Sequence, residues 1–520
     1  MAVAKILWVD DEIESLQSQK LFLENKGYEV HTLTNGFDAL DFVKEQPVDV
    51  VLIDESMPGI TGLETLAKIK ETNPSIPVVL ITKNETENLM DEAIGSQISD
   101  YLIKPVNPNQ VLLSLKKIID NKRLVSEKTT SAYQQQFRDL FMALNSNPNY
   151  NEWMEIYRKL VYWELEMSKA DSPEMSEVLQ TQKDEANNEF FKYISREYTG
   201  WLRRTTDAPV MSHTLVQHKV LPHIQKGIPL FFILIDNLRF DQWKAIQPLL
   251  SDVFRLVEED TFYALLPTAT QYSRNAIFAG MLPADIEKQF PNQWKNDFEE
   301  GGKNLHEEEF FRSQLRRLGH NALRVSFTKV LHHQAGQDLV SNVHNLLQND
   351  INVIVYNFVD MLSHARTEME VLKELANDEK SYRSITTSWF EHSPLYQALR
   401  RIADKNIQVV LATDHGSIRV QKPAKVIGDK ETTTNIRYKH GRNLNFDAKD
   451  VLAFRDPKEG GLPSPTINSS YIFAREDVYL CYPNNYNHYV NYYRNTFQHG
   501  GVSLEEMIIP VVRLMSKGGG

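Results

Sequence analysis

Lys5-Ile6-Leu7-Trp8-Val9-Asp10-Asp11 opens the chain with an apolar run that breaks into two acids. Further runs occur at Val50-Val51-Leu52-Ile53, Val78-Val79-Leu80-Ile81 and Tyr101-Leu102-Ile103, separated by stretches with helical apolar spacing. Short continuous apolar runs alternating with amphipathic helices describe strands covered on both faces, so the N-terminal domain is predicted to be α/β, a doubly wound parallel sheet. Such sheets bind ligands beyond the carboxyl ends of their strands. Asp10, Asp11, Asp54, Thr82 and Lys104 all fall there.

Three carboxylates at neighbouring strand ends repel one another and attract a hard divalent cation with oxygen ligands, for which magnesium is the natural choice. A cation there would neutralise an incoming phosphoryl group while Asp54 attacks phosphorus, with Lys104 and Thr82 on the phosphoryl oxygens. The set Asp10-Asp11, Asp54-Glu55-Ser56-Met57-Pro58 with Gly62, Thr82 and Lys104-Pro105 resembles the flavodoxin-like receiver domain of response regulators. That resemblance implies that Asp54 is the phosphoacceptor. It also implies that Asp11, Asp54 and the Ser56 carbonyl hold magnesium beside Asp10, and that Thr82 and Tyr101 report phosphorylation. Tyr101 reads equally as a packing aromatic.

At 520 residues the chain exceeds one ordinary core, and two or three domains are expected. Neither a membrane-length apolar run nor a secretory leader is evident, and the single cysteine, Cys481, fits a reducing compartment; a cytoplasmic location is the expectation. A net charge of −12 argues against a broad footprint for duplex nucleic acid but permits a small phosphate-bearing ligand in a pocket. The boundaries read as 1–121 for the receiver domain, 122–205 for a helical bundle or connector, and 206–520 for a second α/β domain. In the middle segment strand signals vanish and aromatics such as Trp153, Tyr157, Phe190 and Trp201 recur at helical spacing. Turn residues at 145–151 and 170–173 divide it into about three helices.

The second α/β domain begins with Leu230-Phe231-Phe232-Ile233-Leu234-Ile235-Asp236. Later runs lead to Asp360 with His364, and to Thr413-Asp414-His415-Gly416; His499-Gly500-Gly501 precedes a last strand. Oxygen and imidazole donors without thiolates suit catalytic zinc or manganese, and two such metals can stabilise in-line displacement at phosphorus. Leu266-Pro267-Thr268-Ala269-Thr270 supplies a nucleophile at a helix start, or an ordinary threonine cap. His440 with Lys439 and Arg442 is either a phosphate-binding cluster or a solvated loop.

These signatures, with Asn237, Arg239, Arg274 and Gly280, resemble the alkaline phosphatase superfamily and most closely its PglZ branch. The resemblance implies two zinc ions, one on Asp236, Thr270, Asp414 and His415, the other on Asp360, His364 and His499. It makes Thr270 the catalytic nucleophile, with Thr268 as the alternative, and puts Asn237 and Arg274 at the substrate. Asn237 stands where PglZ domains more often have Gly, and Asn tolerates left-handed backbone. A receiver joined through helices to such a domain resembles the PorX family of response regulators. Membership would imply a PorY-like sensor histidine kinase, an extracytoplasmic-function sigma factor, a type IX secretion motor component, homodimerisation on phosphorylation, and zinc-dependent phosphodiesterase activity on oligonucleotide or cyclic nucleotide substrates. The rival is a non-catalytic adaptor whose metals are structural and whose output is regulated protein binding.

Overall fold

The computed structural model describes residues 4–74, 76–83, 98–170, 173–203, 207–369, 374–376, 378–429, 432–466 and 468–518; the side chains of 120–130, 170, 173–174, 364–366 and 368 lie outside the description. The chain divides into two compact units, the first mostly Met1–Ala132 and the second Tyr133–Lys169 with Pro173–Gly520.

In the first unit β1 (Lys5–Val9), β2 (Glu29–Leu33), β3 (Val50–Asp54), β4 (Val78–Thr82) and β5 (Asp100–Ile103) form a parallel sheet in the order β2-β1-β3-β4-β5. The central β3 and β4 are buried throughout because helices cover both faces, which is why they read as unbroken apolar runs. β2, Glu-Val-His-Thr-Leu, escapes that reading: it is an edge strand with one buried residue, Val30. The helix Gly62–Thr72 starts on a capping box in which the Thr61 hydroxyl accepts from the Glu64 N–H and the Glu64 carboxylate accepts from the Thr61 N–H. Gly62 is required there, since a Cβ would lie 2.3 Å from the Asp54 carbonyl oxygen.

The second unit is built on a six-stranded sheet. β6 (Leu230–Ile235), β7 (Phe254–Tyr263), β8 (Val325–Val330), β9 (Ile351–Tyr356), β10 (Gln408–Ala412) and the final strand Ile508–Ser516 run in the order β7, Ile508–Ser516, β10, β6, β9, β8. From β10 to β8 the pairing is parallel; the final strand is antiparallel to both of its neighbours. Every residue of β6, β9 and β10 is buried.

Three helices, Asn121–Asn145, Tyr150–Ala170 and Pro173–Arg203, fill the middle segment as the turn signals predict. From Tyr133 onward they share one hydrophobic core with the six-stranded sheet. Trp201 meets Tyr263 edge-on at 5.2 Å, and Phe190 stacks on the same ring at 6.3 Å. Asn187 holds the start of the short helix Leu504–Met507, its Nδ2 donating to the Glu505 carboxylate at 3.1 Å and its Oδ1 accepting from Leu504 N at 2.8 Å. Beneath this apolar seam Glu164 and Lys183 of the helices join Arg239, Asp241, Glu379 and Arg383 in a buried ion network.

Candidate functional site

In the first unit the predicted strand-end cluster assembles. Asp10, Asp11 and Asp54 bring one carboxylate oxygen each to within 4.8 Å of one another. Lys104 Nζ sits between two of them, 2.9 Å from Asp10 and 3.0 Å from Asp54. Burial raises the Asp54 carboxyl above the ordinary aspartate range, against the pull of Lys104. Thr82 is buried and donates to Glu55 at 2.6 Å, while Tyr101 is 38% exposed and Ser56 is exposed in the loop after β3. Sequence reasoning gave Glu55 no role; its place directly after Asp54 was the available signal.

In the second unit β6, β9 and β10 end side by side, and each delivers its residues to the same edge. Asp236, Asp414 and His415 place their donor atoms within 4.8 Å of one another, all buried. Asn237 has φ +63°, the left-handed turn expected of it, and its N–H donates to Asp414 Oδ1 at 3.2 Å. Gly416 keeps the loop after β10 close to its neighbour, for a Cβ there would lie 2.0 Å from the Glu505 carbonyl oxygen. Burial pushes Asp236 well above the ordinary carboxylate range, and Asp414 and Asp360 add to that; Arg274 opposes it. Burial also takes the His415 imidazole down to about 4, so the ring is neutral and able to donate a lone pair.

Thr270 begins the helix Thr270–Ala279, which Gly280 closes in the left-handed conformation; their ten-residue spacing is the length of that helix. Its hydroxyl lies 3.1 Å from His415 Nε2 and 3.4 Å from Asp236 Oδ1. Thr268 is occupied elsewhere: its buried hydroxyl donates to the Gly501 carbonyl at 2.9 Å and accepts from the Gly500 N–H at 3.0 Å.

His499 stacks on His415 with ring centres 4.2 Å apart, and its Nε2 lies 3.5 Å from Asp360. Asn237 Nδ2 reaches Asp360 at 3.4 Å. His364 is on the same helix as Asp360, Phe358–Glu368, with its side chain outside the described residues.

Arg274, expected at the substrate, is fully buried and turned toward the carboxylates. Nε donates to Asp414 Oδ2 at 2.9 Å, Nη2 pairs with Asp236 Oδ2, and Nη1 donates to Asn357 at 3.1 Å. It thus takes the oxygen of Asp236 that Thr270 does not face. Arg239 also turns inward, to Asp241 and Glu379. The basic trio does not form one site: His440 stacks on Tyr471 at 4.1 Å, Lys439 is buried, and Arg442 is half-exposed.

Asn357 and Glu506 were missed in the sequence. Glu506 accepts from the Gly501 N–H at 2.9 Å and from Arg437, and so sets the loop that carries His499. A pair of acids at 505–506 between apolar neighbours was the signal for a buried anchor.

Residues 215–514 match the model of the BREX system PglZ alkaline phosphatase-like domain. The chain belongs to the PglZ family. Ahead of its PglZ domain, residues 6–116 match the response regulator receiver domain and 123–202 the PorX response regulator linker domain. The protein is therefore a response regulator with a PorX-type linker and a PglZ output domain.

Curated relatives of this PglZ protein include the transcriptional regulatory protein ZraR of Klebsiella oxytoca, 38% identical over 132 residues, which are 25% of this chain and 30% of that protein. SrrA of Staphylococcus aureus strain NCTC 8325 is 30% identical over 115 residues, 22% of this chain and 47% of SrrA. The matches thus span less than half of either relative. Among solved structures, a CheY-like receiver from Methanospirillum hungatei JF-1 is 28% identical over 23% of this chain and 96% of its own, with a TM-score of 0.23. CheY4 of Vibrio cholerae is 30% identical over 23% of this chain and its whole length, TM-score 0.22. No helix of the described residues is long and apolar enough to cross a membrane.

Proposed function

We propose that the PglZ domain is a zinc-dependent phosphodiesterase whose output is governed by phosphorylation of Asp54. The observation that carries this reading is Thr270: a partly accessible hydroxyl at a helix start, 3.1 Å from His415 and 3.4 Å from Asp236. The donor set fits a metal, because buried carboxylates outnumber the one arginine that neutralises them and burial holds Asp236 far above its usual range. Asp236, Thr270, Asp414 and His415 would hold one zinc, and Asp360, His364 and His499 the other. Bound zinc supplies charge neutralisation at the phosphoryl oxygens and acidifies a hydroxyl.

The chain's own groups do the rest. Thr270 Oγ, its proton given up to solvent, attacks phosphorus and displaces one alkoxide of the diester, which leaves as the alcohol. Water then cleaves the phosphothreonine to release the monoester and restore the hydroxyl. The unpaired N–H groups of the first turn of its helix face the developing negative charge. Arg274 orients Asp236 and Asp414 from their far oxygens, and Glu506 with Arg437 holds the His499 loop in register. A diester of a nucleotide, cyclic or linear, is the proposed substrate class.

In the receiver, Asp10, Asp11, Asp54 and the Ser56 carbonyl would hold magnesium, and Lys104 is placed to meet the phosphoryl group. Proposed partners are a PorY-like histidine kinase, an extracytoplasmic-function sigma factor, a type IX secretion motor component and, after phosphorylation, a second copy of the chain.

The decisive experiment is hydrolysis of bis(p-nitrophenyl) phosphate by the zinc-loaded protein beside Thr270→Ala, with metal content measured in both. Turnover in the parent alone supports the reading. Equal rates in two folded, metal-loaded proteins would transfer the function to regulated protein binding.

A further inference from the structure

A cavity lies behind the short strand Tyr438–Gly441, which pairs antiparallel with Ser470–Ala474, and none of its lining residues belongs to the Asp236, Asp414 and His415 cluster. The strand Tyr438–Gly441 alternates its side chains: Tyr438 donates to Asp297 at 3.2 Å and His440 lies 3.9 Å from the same acid, so both point one way. Lys439 points the other way, into a cavity of about 320 Å³ lined by Ile436, Cys481, Tyr482, Tyr489 and Tyr493 among others. The front of that strand packs the catalytic loop, for a Cβ on Gly500 would sit 2.6 Å from the Tyr438 ring. The cavity is behind it.

Lys439 is 1% exposed, a rare state for a lysine without an acid. Its ammonium donates to the Thr433 carbonyl at 3.0 Å and lies over the Tyr482 ring at 4.2 Å. Tyr482 donates its hydroxyl to the same carbonyl at 2.9 Å, fixing the ring that Lys439 covers. Among the described residues no carboxylate acts on the ammonium, and burial brings its pKa down to about 7. Keeping that amine charged in the interior is costly, and an anion entering the cavity would remove that cost and favour the ammonium. The walls select further. Tyr489 and Tyr493 lie nearly parallel, 6.2 Å apart at 17°, on the helix Tyr486–Tyr493, and Tyr489 is 39% exposed at the mouth. Aromatic walls with one convergent charge suit a planar ring that bears a single anionic group, and the cavity is of ordinary small-ligand size.

We propose that this cavity binds a nucleoside monophosphate, its phosphate on Lys439 and its aromatic base against the tyrosines. The site does not depend on the catalytic reading, since it shares no residue with the zinc set.

The test is acetic anhydride labelling of the full-length, zinc-loaded protein, with the reaction of each lysine read by peptide mass spectrometry. Adenosine 5′-monophosphate, inorganic phosphate and adenosine are the probes. At ten times its dissociation constant the nucleotide should slow labelling of Lys439 about tenfold, with Lys405, half-exposed on another surface, unaffected. Adenosine and phosphate alone should protect less. Tyr489→Ala, a change at an exposed helix position, should weaken protection by the nucleotide and leave protection by phosphate as it was. The proposal is overturned if Lys439 reacts equally with and without nucleotide, or is unreactive in both cases. It is equally overturned if phosphate protects as well as the nucleotide and Tyr489→Ala changes nothing.

Discussion

Glu506 receives the guanidinium of Arg437 on both carboxylate oxygens, Nε to Oε1 at 3.1 Å and Nη2 to Oε2 at 2.6 Å, with both side chains fully buried. The same carboxylate takes the Gly501 N–H and the Ser503 hydroxyl, so one acid ties the His499 loop to the body of the domain. Glu506→Ala leaves Arg437 charged and unpaired in the interior, which costs about 3–5 kcal/mol. Denaturant unfolding should show that loss, and if zinc occupies the two proposed sites, metal analysis should find the one proposed on His499 depleted ahead of the one proposed on Asp236, Asp414 and His415.

Thr268 and Thr270 should separate stability from chemistry. Thr270→Ala removes the proposed nucleophile from the end of a helix and should lower diester hydrolysis by a factor of about 10³ or more, with the melting temperature within a few degrees of the parent. Thr268→Val strands the Gly501 carbonyl and the Gly500 N–H, costing about 1–3 kcal/mol. Its activity should fall in step with stability and recover partly when zinc is raised. Thermal unfolding recorded beside the same assay distinguishes the two; matching profiles would count against Thr270 as nucleophile.

Acetyl phosphate with magnesium should give an acid-stable, base-labile phosphoryl group on the parent and none on Asp54→Ala. Lys104→Ala removes the cation that lies 2.9 Å from Asp10 and 3.0 Å from Asp54. It should still accept phosphate, since the nucleophile remains, but lose the conformational response. Intact mass and size-exclusion chromatography read the two effects apart.

The ion network between linker and PglZ domain predicts acid sensitivity. Burial opposes ionisation of Glu164, yet Lys183 at 2.6 Å and Arg383 outweigh it and hold the carboxyl below its usual value. A depressed carboxyl pKa contributes stability that is present above its unfolded value, about 4.3, and is lost as pH falls through the folded one. For Lys183, burial is outweighed by Glu164 and Glu505, so its pKa rises; that contribution holds at neutral pH and fades only in strong alkali. Glu164→Gln should therefore cost about 3–5 kcal/mol at pH 7 and flatten the fall in stability below pH about 4.5. Urea unfolding of both proteins at pH 7 and pH 4 measures it. An unchanged pH slope in the variant would exclude Glu164 as its source.

The amino-acid sequence by itself determined the strands that are buried on both faces and the acids at their ends, because burial writes an unbroken apolar run and the residues just beyond a strand end stand at the sheet edge. Asp10, Asp54, Asp236, Asp360 and Asp414 were all legible in that way. It allowed for the left-handed turn at Asn237, since backbone sterics are local. Edge strand β2 was not legible, for a strand covered on one side carries a diluted pattern. Only the tertiary structure decided that Arg274 holds the carboxylates from behind, that Thr268 is spent on the His499 loop, and that Glu506 anchors it. It alone joined the linker helices to the sheet in one core and turned Lys439 away from His440. Those outcomes depend on which oxygen, face or cavity a side chain meets, and contacts between residues far apart in the chain leave no period in the sequence.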